Sequence, residues 1–126
     1  MDFKTKHFRR GETVIEEGLR SDFIYLIKQG RVEIRKGVRR TVPIVLGTVG
    51  PGETVGEISV FDGSPSMAEA VAIEDTETLA MSKEEFQRRL ADMDPIFNGL
   101  FRMLIKRNRS MGDQVESVYD RRYSST

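Results

Sequence analysis

Apolar and polar residues alternate with one period up to Ser82 and with another after it. Before Ser82 the period is two. In "DFIYLIKQGRVEIRKG" two β-rich runs, Phe23–Lys28 and Arg31–Lys36, meet at Gln29-Gly30. Val32 and Ile34 alternate with Arg31, Glu33 and Arg35, which gives one buried face and one wet face. A Gly at a two-residue connection predicts that the two runs form a hairpin. "ETVIEEG" predicts a short strand ended by Gly18, and "VPIVLGTVGPGE" a strand running into a Pro51-Gly52 turn. "AEAVAIED" and "TETLAMS" read as two more short strands separated by a turn near Asp75. Short strands cornered by Gly11, Gly18, Gly30, Gly50, Gly52 and Gly63 predict a small sandwich or barrel.

From Ser82 the spacing becomes helical. "SKEE" is a capping box, in which Ser82 caps the helix and Glu85 reaches back from the third position. Phe86 and Leu90, one turn apart, are the predicted core contacts. Asp94-Pro95 restarts the pattern, with Asp94 as N-cap and Pro95 at the first helical position. The expected organisation is one domain over residues 1–112, with β structure at 8–82 and helices at 83–92 and 95–112. Residues 113–126 form a loose tail. The last helix carries Phe97, Phe101, Leu104, Met111, Val115 and Val118 at heptad steps, interrupted by Gly112. Phe101 at an a position puts Asn108 at the next a, where a buried Asn fixes register in a two-stranded coiled coil. The same stripe also suits an amphipathic helix packed on its own barrel.

Composition narrows the chemistry. The 126 residues contain no Cys and one His. A chain of this length buries roughly two-thirds of its unfolded surface and needs no disulfide or metal staple. Without Cys there is no disulfide framework, Cys-ligated metal site or Cys nucleophile. A lone His7 supplies neither a metal cluster nor a serine triad, so neither a metal site nor an enzyme is expected. Twenty basic residues balance twenty acidic ones, leaving no global field for nucleic acid or an anionic membrane. Arg102, Lys106, Arg107 and Arg109 read as the wet face of the last helix. The eighteen residues after Asn108 are too few for a helix-turn-helix reading head, so no DNA-binding module is expected in this chain. With no apolar run long enough for a membrane span and no secretory signal, the expected location is cytoplasmic.

The candidate site is the loop "VGEISVFDGSPSMAEA", residues 55–70. Gly56 permits close backbone approach, and "EISVF" suits one short helical turn whose exposed N–H groups can face an anion. Glu57 either accepts hydrogen bonds from a hydroxyl-bearing ligand such as a ribose or caps that turn. A small anionic or sugar-bearing ligand is the candidate partner.

"FRRGETVIEEG", "DFIYLIKQGRVEI", "VGPGETVGEISVFDGSPSMAEAVA" and "TLAMSKEEFQRRL" together resemble the cyclic nucleotide-binding domain family. Its members include catabolite activators and protein kinase A regulatory subunits, and the likeness spans about residues 8–110. It implies an eight-stranded β-roll (a jelly-roll-like double-stranded β-helix), short flanking helices and a long carboxy-terminal helix. That last helix would act as lid and dimer seam, through Phe97, Phe101, Leu104 and Asn108. By resemblance, Glu57 after Gly56 binds the ribose 2′-hydroxyl, and N–H groups around Ile58 and Ser59 reach the cyclic phosphate. Pro65 and Ala68 match the family's cassette. The phosphate-pairing Arg falls on Ser66, followed by Met67; the family's Thr or Ser falls on Glu69, and Val55 replaces an aromatic. A charged hydrogen bond contributes roughly 1.5–3 kcal/mol, so its loss is expected to weaken phosphate binding on the order of ten- to several-hundred-fold. Arg9, Arg39, Arg40 and Arg102 are candidate substitutes. The implied function is a regulatory sensor for cAMP or cGMP with no other cofactor, acting through a homodimer or an effector protein. The alternative is a structural or dimerising module of the same fold that binds no nucleotide.

Overall fold

The computed structural model describes residues 3–37 and 42–107. Eight strands build two four-stranded antiparallel sheets. In chain order they are β1 (Phe3–Phe8), β2 (Thr13–Ile15), β3 (Phe23–Gln29), β4 (Val32–Lys36), β5 (Ile44–Val49), β6 (Thr54–Val55), β7 (Glu69–Ala72) and β8 (Thr76–Ser82). One sheet has the order β1-β8-β3-β6, the other β2-β7-β4-β5. This is the mainly β roll expected from the resemblance. Between the sheets lie Phe8, Val14, Ile15, Tyr25, Ile27, Val32, Val55 and three alanines of β7 and β8. Phe8 meets Tyr25 edge to face at 5.4 Å, a favourable geometry for two rings.

The expected hairpin at Gln29-Gly30 does not form. β3 pairs with β8 and β6, whereas β4 pairs with β7 and β5. The chain crosses from one sheet to the other, so that Ile27 and Val32 enter the same core from opposite layers. A two-stranded ribbon would leave one apolar face bare. Only glycine fits the corner. Gly30 has φ +100°, and a Cβ there would lie 2.4 Å from Thr76 Oγ1 and 2.6 Å from the Asp75 carbonyl. The Asp75 turn is the matching corner, carrying the chain from β7 to β8 across the same gap.

The β structure begins at Phe3 rather than at residue 8. β1 pairs along its length with β8, from Phe3↔Met81 to Phe8↔Thr76. Of its six residues only Phe8 is buried, because an edge strand packs few side chains and its lysines discourage pairing with another chain. The buried Thr78 hydroxyl, which donates to the Lys6 carbonyl at 2.9 Å, ties the edge down.

Helix α1 (Glu57–Asp62) connects β6 to the loop before β7, and α2 (Lys83–Ala91) follows β8 directly. The Ser82 hydroxyl caps α2 by accepting from Glu85 N–H at 3.2 Å. Glu85 does not reach back; its buried carboxylate pairs with Arg88 and Arg89. Two guanidiniums satisfy a buried charge better than one backbone amide. A third helix, α3, occupies 95–107 of the described residues, with the Asp94 carboxylate accepting from Ile96 N–H at 2.8 Å.

α3 lies against α1 and α2 through Phe101, and Ile105 on the same side is buried. Phe101 is 5.5 Å from Phe61 of α1 and 5.7 Å from Phe86 of α2. Phe101 therefore faces its own domain, which takes it out of the expected seam. The outward stripe is Ile96, Phe97, Leu100, Met103 and Leu104, with Phe97 65% and Leu104 63% exposed. Asn108, Met111, Val115, Val118 and the tail lie outside the described residues. Among the described residues no helix is long and apolar enough to cross a membrane.

Candidate functional site

A cavity of about 580 Å³ opens between β5, the β6–α1 junction and residues 66–70. That volume lies within the range of small-molecule sites, roughly 300–1,000 Å³. Gly56, Glu57, Ile58, Ser59, Ser66 and Met67 all line it. Pro65 does not, and neither do Phe97, Phe101 and Leu104 on α3.

Gly56 sets the position of α1. It has φ +90°, and a Cβ there would lie 2.7 Å from the Phe23 carbonyl and 3.2 Å from Ile15 Cδ1. The close approach predicted at Gly56 is therefore made to the protein's own strand β3. Any side chain would push α1, and with it Glu57, away from the roll.

Glu57 is the first residue of α1 and faces the cavity. Burial raises its carboxyl above the ordinary glutamate value, against the lowering effect of its own backbone N–H and the Thr54 side chain. Its Oε2 is buried and has no hydrogen-bond partner. An unpaired buried acceptor is costly, so a donor entering here meets a ready partner.

Ser59 and Ser66 shape the site more than they serve it. The Ser59 hydroxyl accepts from Ser21 N–H at 3.0 Å and donates to the Ser64 carbonyl at 2.6 Å. Ser66 N–H donates to the Leu19 carbonyl at 2.8 Å, and its own carbonyl accepts from Gly18 N–H at 2.9 Å. The loop is thus strapped to the 18–21 turn, leaving the Ser66 hydroxyl as that residue's remaining donor. Glu69 also lines the cavity, with a long 3.5 Å contact from the Thr13 hydroxyl.

Among the described residues no Lys, Arg or His lines the cavity. Arg9 lies in the β1–β2 turn, and Arg102 stacks over Phe61 at 5.1 Å while its Nε donates to Asn98. Neither takes the place of the missing arginine; Arg39 and Arg40 lie outside the described residues. The same residues hold no group of three metal-ligating side chains.

Sequence reasoning missed the apolar wall formed by β5, including Ile44, Val45 and Leu46. Its signal was "VPIVLG", a strand apolar on both faces although Val45 is 57% and Leu46 38% exposed. A strand with that pattern and no covering layer faces a groove.

Residues 5–93 match the family described as cyclic nucleotide-binding domain. The CRP-like cAMP-activated global transcriptional regulator of Mycobacterium tuberculosis is 32% identical over 111 residues, covering 88% of this chain and 50% of that protein. The cyclic AMP receptor protein of Thermus thermophilus is 31% identical over 111 residues, covering 85% of this chain and 50% of that protein. Among solved structures, the EAL enzyme Bd1971 in its cAMP-bound form superposes with TM-score 0.76 at 29% identity, covering 90% of this chain and 30% of that one. The chain spans about half the length of the curated relatives it matches.

Proposed function

The chain belongs to the cyclic nucleotide-binding domain family, and from that premise we propose that it is a regulatory module whose β-roll cavity takes a small hydroxyl-bearing ligand at Glu57. The orphaned Glu57 Oε2 in a largely apolar cavity carries this reading. In the family's cassette the corresponding glutamate holds the ribose 2′-hydroxyl, so a nucleotide or a close relative is the ligand class. The cAMP-activated and cAMP-bound relatives agree with that class.

Occupancy is passed on through α1. Glu57 sits at the start of this helix and Phe61 one turn later, where its ring meets Phe86 at 6.4 Å and Phe101 at 5.5 Å. A ligand that draws Glu57 toward it biases the ring cluster and hence the seat of α3. The ligand shifts the equilibrium by binding one arrangement better than the other. The test is ligand-induced thermal stabilisation of the parent and Glu57→Ala with cAMP, cGMP and their nucleosides. The variant is expected to lose the shift; an undiminished shift would remove Glu57 from the site.

A second reading is favoured by the exposed stripe Ile96, Phe97, Leu100, Met103 and Leu104. Five large apolar side chains on one helix face suit a second copy of the same helix. Sedimentation of the parent and of Leu100→Glu/Leu104→Glu tests it. A parent that remains monomeric at high concentration rejects the dimer, and a dimer that survives the double variant moves the interface elsewhere.

A further inference from the structure

We infer that the cavity prefers an uncharged, hydroxyl-bearing ligand of nucleoside size over the corresponding cyclic nucleotide. The inference rests on the assignment of the ligand site to the Glu57 cavity and concerns the charge of what binds there. Three observations carry it.

The first is the charge of the lining. It includes two carboxylates, Glu57 and Glu69, and no cationic side chain among the described residues. An anion entering this space loses hydration and meets no counter-charge from the described residues, while a neutral molecule avoids that penalty. The second is the state of the donors that an anion would need. Ser66 N–H is committed to Leu19 and the Ser59 hydroxyl to Ser64, so the side-chain donors of the cassette loop reduce to the Ser66 hydroxyl, beside the backbone N–H groups at the start of α1. The third is the pairing of an apolar wall with one unsatisfied acceptor. Ile34, Ile44, Val45 and Val49 suit a flat apolar body, and Glu57 Oε2 calls for a donor. A sugar hydroxyl is such a donor; a nucleoside carries three of them where the cyclic nucleotide carries one, and phosphate oxygens donate nothing.

The test is isothermal titration of the full chain with adenosine, guanosine, cAMP and cGMP, using the parent, Ser66→Arg, Glu69→Gln and Glu57→Ala. The parent is expected to bind at least one nucleoside tenfold or more tightly than its cyclic nucleotide. Ser66→Arg should shift that ratio at least tenfold toward the cyclic nucleotide. Glu69→Gln, which adds no bulk, should shift it the same way and serves if the arginine variant does not fold. Glu57→Ala should lose at least tenfold in nucleoside affinity. A parent that binds the cyclic nucleotide as tightly as the nucleoside overturns the charge inference, while loss of that binding in Glu57→Ala leaves the site assignment standing. If the parent binds no nucleoside and Ser66→Arg binds a cyclic nucleotide, the inference falls and the site again survives. Binding that is unchanged in Glu57→Ala, or absent from every protein, overturns both.

Discussion

Replacing Gly56 by Ala tests whether the site is positioned by the contact between α1 and β3. Three effects are superposed. A left-handed backbone costs an L-residue about 1–2 kcal/mol, and Gly56 has φ +90°. Reduced freedom of the unfolded chain returns about 0.4–1 kcal/mol. The third effect is steric, because the new Cβ would sit 2.7 Å from the Phe23 carbonyl. That oxygen belongs to a strand paired on both sides, by β8 and β6, so it cannot swing away as a side chain can. Overpacking of this kind costs about 1–3 kcal/mol, and the net expectation is a loss of roughly 2–4 kcal/mol. Gly63, at the other end of α1, is the control. It has φ +72° with nothing within 4 Å of an added Cβ, so Gly63→Ala isolates the backbone effect at about 1 kcal/mol or less. With a shift of roughly 4 °C per kcal/mol for a domain of this size, thermal melting should place Gly56→Ala about 8–16 °C below the parent. Gly63→Ala should fall within about 4 °C of the parent on the same scale. If the two variants melt together, the Phe23 carbonyl is not the wall that seats α1, and the positioning of Glu57 needs another cause.

Glu57→Gln should change how stability depends on pH. The folded-state pKa of Glu57 is raised above the ordinary value of 4.5, so the folded chain holds this proton more tightly than the unfolded one. Its stabilising contribution is full below 4.5 and is lost as pH rises through the folded value. The melting temperature of the parent minus that of Glu57→Gln should therefore fall as pH rises toward neutrality; a flat difference refutes the buried carboxyl. For Phe61 and Phe101, a double-mutant cycle of the alanine variants in urea should give a coupling of about 0.5–1.5 kcal/mol. Additivity within about 0.3 kcal/mol would mean that α1 and α3 do not communicate through these rings.

Local chemistry was legible from the chain, and the choice of partners was not. Ser82 and Asp94 act through atoms a few residues away, and each caps the helix its neighbours in sequence predict, with Glu85 the exception. At the Gln29-Gly30 corner the signal for a tight connection was correct, yet a tight connection does not specify which strands pair across it. That choice is made by the packing of Ile27 against Val32 and by Asp75-Thr76, forty-five residues from Gly30-Arg31, which leaves no room for a Cβ. β1 was invisible because an edge strand with one buried residue carries no alternation to read. Phe101 illustrates the same limit on a helix. Heptad spacing placed it on a stripe with Phe97 and Leu104, but a stripe has width, and the rings of Phe61 and Phe86 decide which edge turns inward.

The site divides along the same line. Glu57 could be named from a two-residue motif, whereas the cavity around it is lined by five separated segments. Ser66 alone reads as one lost cation. The structure adds that its N–H is committed to Leu19, that Glu69 lines the same space and that neither Arg9 nor Arg102 turns toward it. These are independent causes acting on one quantity, the penalty for bringing a negative charge into the cavity. A single substitution at Ser66 should therefore restore only part of an anion's affinity, and Ser66→Arg combined with Glu69→Gln should restore more than either alone. Equal affinities for the single and double variants would mean that the arginine was the whole of the difference, and that Glu69 is a bystander at the rim.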